Sequence, residues 1–209
     1  MPATRKQPAT STYDVHPSLG MYQSSLAALK QKTGRTLEEW VKLVQKSGPA
    51  TEKERHAWLK AEHGLGMNYA GWIAEHSAGK GDDGNPETYL KQAEEFVESM
   101  YSGAKESLRP IFNELLTLGR SLGNDVKVCP CKTIVPLYRK HVFAQIKPTA
   151  RTRIDLGLAL KDTKVSKRLI DTGGLAKKDR ITHRIEITSL KDIDAEVKKW
   201  LKTAYEMDR

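Results

Sequence analysis

The chain has 209 residues, 38% hydrophobic and 29% charged, with a formal net charge of +9. That length suits one large domain or two small ones, and the balance suits a soluble globular protein. No run approaches the roughly eighteen apolar residues of a membrane helix, so no membrane partner is expected. Residues 1–17 hold Arg5 and Lys6 but neither an apolar stretch nor a cleavage-type pattern. The expected compartment is therefore the cytoplasm. Pro, Ala, Thr and Ser dominate this segment without periodicity, which reads as a flexible tail.

Residues 18–78 read as a small helical domain. Residues 19–32 put Leu26 and Leu29 on one helix face. Thr36-Leu37-Glu38-Glu39 is a capping box, and behind it Leu37, Trp40, Val41 and Val44 recur at helical spacing until Gly48-Pro49. Thr51-Glu52-Lys53-Glu54 is a second box, opening a helix with Trp58 and Leu59. Gly64-Leu65-Gly66 is a turn, and Asn68 is placed to cap a third helix carrying Ala70 and Ile73. The last two helices have helix-turn-helix proportions. After Asn68, however, the third helix offers Glu75 and apolar positions, which is poor chemistry for reading base edges. Protein contacts, or packing onto the rest of the chain, suit it at least as well.

Residues 79–86, Gly-Lys-Gly-Asp-Asp-Gly-Asn-Pro, form a linker. In residues 87–209, a helix over 87–102 carries Leu90, Ala93, Phe96, Val97 and Met100. Another over 108–122 buries Ile111, Phe112, Leu115 and Leu118. The period then falls from about 3.6 to 2. Strands are expected over 134–139 and 142–147, the second ended by Pro148. The cleanest is 152–161, with Ile154, Leu156, Leu158 and Leu160 inward and Arg153, Asp155, Gly157 and Lys161 outward. Ile185 and Ile187 mark a further strand. A helix over 193–205, capped by Asp192 or Ser189, closes the chain. The fold class is α+β: an all-α helical module, then a domain with an antiparallel β-sheet flanked by helices and open on one face.

Charge concentrates in the strand region. Residues 126–184 hold fifteen Lys and Arg against four Asp, a surplus of eleven, so the remainder of the chain is net acidic. Alternation places many of these cations on one sheet face, which points to an anionic partner: nucleic acid or another anionic ligand. Lys132, Arg139, Lys147, Arg153, Lys178, Arg180 and Arg184 are the candidate phosphate contacts, with Tyr138, His141 and Phe143 available to stack. On this reading, reversing Arg139, Arg153 and Arg180 abolishes binding. The plain alternative is a solvated face whose charges maintain solubility and block edge pairing. A rival class, an enzyme or small-ligand receptor, needs Tyr138, His141, Asp155, Arg180 and His183 to converge in one pocket.

Other motifs carry less. Gly173-Gly174 can form an anion-holding nest of amides beside Lys178 and Arg180, but serves equally as a hairpin connection. Cys129-Pro130-Cys131 lacks the remaining ligands of a zinc site and the spacing of a redox motif. No metal and no cofactor is therefore expected, and two free thiols in a reducing compartment are the simpler account. Asp155 and Glu186 face outward from strands that can be neighbours. Amid so many cations, each is expected to pair with an Arg rather than with a metal.

Several words in the second half resemble a bacterial domain family of unknown function. They are Lys132-Thr133-Ile134-Val135-Pro136-Leu137-Tyr138, His141-Val142-Phe143-Ala144-Gln145-Ile146-Lys147-Pro148, Arg153-Ile154-Asp155-Leu156-Gly157-Leu158 and Asp171-Thr172-Gly173-Gly174. Lys178-Asp179-Arg180-Ile181-Thr182-His183-Arg184 belongs with them, and the resemblance covers about residues 87–205. Residues from about 24 to 76 are similar to a second such domain, a compact helical module. The resemblance implies a two-domain cytoplasmic bacterial protein and carries over no catalytic residue.

Overall fold

A computed structural model of the protein describes residues 12–81 and 84–209. They form two compact units, Pro17–Thr88 and a second made of residues 12–16 with Tyr89–Arg209. Part of the expected linker, residues 82–83, lies outside the described residues. So do residues 1–11 of the expected tail. The rest of that segment does not behave as a tail. The Asp14 amide donates to the Val128 carbonyl, and the Asp14 carboxylate accepts the Val128 amide, both at 2.8 Å.

The first unit is helical: α1 (Pro17–Ala27), α2 (Leu29–Thr33), α3 (Leu37–Ser47), α4 (Glu52–His63) and α5 (Met67–Ser77). Both capping boxes form, each Thr accepting the amide three residues on while the Glu there reaches back. Gly64 closes α4 at φ +63°, a left-handed conformation that glycine adopts without steric cost. Asn68 lies inside α5, because Gly66 takes the cap position instead. Leu29, Trp40, Val44, Leu59 and Ile73 fill the core. Trp40 Nε1 donates to Thr33 Oγ1 at 2.8 Å, which satisfies a polar group that burial would otherwise orphan.

The second unit takes α6 (Pro86–Met100) from Tyr89 onward, then a 3-10 turn (Gly103–Leu108) and α7 (Arg109–Arg120). Six strands follow: β1 (Lys127–Val128), β2 (Val135–Tyr138), β3 (Val142–Ala150), β4 (Arg153–Leu158), β5 (Ile170–Asp171) and β6 (His183–Ile187), before α8 (Ala195–Met207). They form one antiparallel sheet in the order β1-β2-β3-β4-β6-β5. Strand β3 continues through Pro148 to Ala150. The register shifts between Lys147 and Ala150, so the missing proline N–H falls where the ladder is already irregular. Asp194, not Asp192 or Ser189, caps α8 by accepting the Glu196 and Val197 amides. Ser189 and Asp192 cap the 3-10 turn Leu190–Asp192 before it.

Register sorts side chains by face. Ile146, Leu156 and Ile185 stand in one row and Ile154 with Ile187 in another, all fully buried together with Leu115 of α7 and Val197 and Leu201 of α8. Gly119 lets α7 sit close, since a Cβ there would lie 2.6 Å from Leu137 Cδ1. Rows on the other face hold Gln145, Gly157 and Arg184, then Lys147, Asp155 and Glu186.

Candidate functional site

The outer sheet face is not the bare cationic surface that alternation suggested. Arg153 lies 2.9 Å from Asp155 Oδ1 and 3.1 Å from Glu186, and Arg184 contacts the same two acids at 3.5 and 2.5 Å. The Arg153–Asp155 contact is an ion pair off the hydrogen-bond angle, not an aligned bond. The Arg184 hydrogen bond holds the Glu186 carboxyl below the usual carboxylate range. Two cations and two acids cancel, as the sequence led us to expect for Asp155 and Glu186. Gly157 does not face open solvent: Gln145 Cγ and Ile181 Cγ2 both lie 2.7 Å from where its Cβ would stand.

Other predicted contacts are also engaged. Arg139 pairs with Asp125 at 2.8 Å and lies over the Tyr205 ring at 4.2 Å, while the Tyr205 hydroxyl donates to Asp125 at 2.7 Å. Those bonds, Arg139's above all, hold the Asp125 carboxyl below its ordinary value. Arg180 donates to Asp208 Oδ1 at 2.8 Å. The same carboxylate accepts the His141 amide and lies 3.0 Å from His141 Nδ1. Tyr138 meets His16, hydroxyl to Nε2, at 3.0 Å. His183 is a core residue: its Nε2 donates to the Thr163 carbonyl, and its Nδ1 accepts the Thr182 hydroxyl, which itself accepts the Leu160 amide. The five side chains of the rival pocket are therefore dispersed, with only His141 and Arg180 meeting, on Asp208. Phe143, expected to stack on a ligand, is fully buried and packs edge-on against Tyr205.

The glycine pair makes no vacant nest either. The Gly173 amide donates to Asp171 Oδ1 and the Gly174 amide to Thr172 Oγ1, so the chain's own side chains fill it. Lys178 stands exposed on this loop at φ 57°. Beside it a recess of about 130 Å³ is lined by Lys161, Arg180, Asp179 and Asp208. Two acids oppose two cations there, leaving no net charge to draw an anion.

One place does collect uncompensated charge. Lys105 of the first 3-10 turn, Lys132 of the β1–β2 connection, Lys147 of β3 and Arg151 of the β3–β4 turn line a groove of about 570 Å³. No carboxylate lines it among the described residues. Lys147 reaches the groove because it occupies an outward strand position. The Pro148 irregularity follows it, and Lys105 Nζ donates to the Pro148 carbonyl at 2.6 Å, tying the 3-10 turn to β3. An ammonium has three N–H groups, so this bond leaves Lys105 two to offer. Hydroxyls of Ser99, Ser102, Thr133 and Thr149 stand between the cations. Of the ten predicted site residues, only Lys132 and Lys147 come together here. Arg151 was within the charge surplus but not singled out. Lys105 was missed, because it lies between two helical patterns and nothing local links it to a strand forty residues on.

The cysteines sit apart from the groove. Cys129 is buried and its thiol is pushed up to about 12, chiefly by burial; Cys131 is half-buried and shifted the same way. No group of three or more potential metal ligands occurs among the described residues. No described helix is long and apolar enough to cross a membrane.

Fold and groove together define a two-unit α+β protein: a helical module, then a sheet domain whose outer-face arginines are ion-paired and which gathers four cations and no carboxylate in one groove. Two family models match, one described as Domain of unknown function (DUF5655) over residues 97–208 and one as Domain of unknown function (DUF4287) over residues 21–78. The first covers more than half of the chain, which belongs to the DUF5655 family. No curated protein and no solved structure matches it.

Proposed function

We propose that this protein is a binding protein whose DUF5655 domain takes a polyanion, nucleic acid first among them, along the groove of Lys105, Lys132, Lys147 and Arg151. The observation that carries this reading is four cations against no carboxylate in one concavity, whereas Arg139, Arg153, Arg168, Arg180 and Arg184 are each paired with an acid. A concave site lined by one sign of charge focuses its field and raises the local concentration of an oppositely charged partner. The footprint thus moves from Arg139, Arg153 and Arg180, whose charge is spent internally, to the groove. The cytoplasmic setting expected from the sequence accords with such a partner.

Fluorescence anisotropy with labelled oligonucleotides at low salt tests the reading. Four phosphate contacts give a slope of log K against log salt of about −3 to −4. Lys132→Glu with Arg151→Glu should flatten that slope by about two, one for each lost contact. Absence of binding at low salt, or a double variant that binds like the parent, contradicts the reading.

A further inference from the structure

We infer that the groove grips the sugar–phosphate ridge of a double helix and reads no bases. This rests on the polyanion reading above and narrows it to one class of ligand. Single-strand binders hold successive bases on aromatic rings, and those rings supply the affinity that a flexible, less densely charged strand does not. No aromatic residue lines this groove among the described residues, and no Asn or Gln is placed there to read adenine; its Lys and Arg can meet guanine as well as phosphate, so a comparison of AT-rich with GC-rich duplex decides between the two.

The aromatic side chains of the strands, and Tyr205 of α8, are committed elsewhere. Phe143 is in the core, Tyr138 is bonded to His16, and Tyr205 lies beneath Arg139 with its hydroxyl on Asp125. What the groove offers is three ammonium groups, one guanidinium and a set of hydroxyls, all donors suited to phosphate oxygens. When charge alone drives association, the denser polyanion is preferred, and a duplex carries one charge per about 1.7 Å of axis. With four contacts the salt slopes are about −3.6 for duplex and about −2.8 for single strand, which, for lines that meet at about 1 M salt, amounts to roughly tenfold tighter duplex binding at 50 mM.

The test uses the full chain and three labelled probes: an AT-rich 20-mer duplex, a GC-rich 20-mer duplex and a single-stranded dT 20-mer. The expected result is two duplexes of equal affinity within about threefold, both tighter than the single strand. A single strand bound as tightly as the duplexes, or a larger difference between the two duplexes, overturns this inference. If Lys132→Glu with Arg151→Glu still weakens those complexes, the groove reading survives that outcome. No binding of any probe overturns both.

Discussion

At the scale of the residue, burial decides what the reactive side chains can do. Cys129 sits under Val15, whose carbonyl is 3.7 Å from its sulfur, and near the Asp14 carboxylate, so the thiolate is disfavoured twice. A thiol pushed up to about 12 is protonated at pH 8, and the thiolate is the nucleophile. Iodoacetamide at pH 8 should therefore leave Cys129 unmodified in the native protein and modify it once urea unfolds the chain; peptide mass spectrometry reads the difference. His16 supplies the opposite sign. Burial lowers its pKa, so the native state resists a proton that the unfolded chain accepts near pH 6.5. Stability from His16 is present above that value and falls as the pH drops below it. Between pH 7.5 and 5.5 the parent Tm should decline more steeply than that of His16→Gln, and equal slopes would contradict this.

At the scale of the element, end signals and close approaches carry the predictions. Thr51→Ala removes the acceptor for the Glu54 amide and should cost about 1 kcal/mol in chemical denaturation. Gly119→Ala drives a methyl into Leu137 and should cost about 1–3 kcal/mol, the usual range for overpacking. A cost near zero would mean that α7 can lift from β2. Much of the fold was legible at this scale because capping boxes and apolar periods are local signals. Both boxes formed, and Ile154, Leu156, Leu158 and Leu160 are all fully buried. Strands β1 and β5 went unread because two residues show no alternation. Asp194 was passed over for α8 because Ser189, Asp192 and Asp194 are all competent caps, and the 3-10 turn claims the first two.

At the scale of the whole molecule, a surplus of charge in sequence is not a surplus on a surface. Residues 126–184 hold eleven excess positive charges, yet Arg139, Arg153, Arg168, Arg180 and Arg184 are each paired. Their partners include Asp125, Glu186, Asp194 and Asp208, of which Asp125 precedes the segment and the other three follow it. Counting charge within a window hides pairing across it. Alternation placed Lys147 and Arg153 correctly on the outer face, but only the folded structure shows that Arg153 has two acids within reach, while Lys147, though opposite Asp155 in the ladder, makes no ion pair with it. The groove depends on residues from four separate segments, a 3-10 turn, the β1–β2 connection, β3 and the β3–β4 turn, so its existence had no sequence signature beyond the surplus itself.

The central claim is that position, not net charge, makes the anion site. Two triple variants of equal net charge test it most directly in anisotropy titrations with a duplex oligonucleotide: Lys132, Lys147 and Arg151 all changed to Glu, against exposed Lys164, Lys167 and Lys177 changed likewise. The groove triple should lose about three units of salt slope and at least about a hundredfold in affinity at low salt, with the matched triple within about threefold of the parent. Equal losses in the two triples, or a groove triple that binds like the parent, would contradict the account.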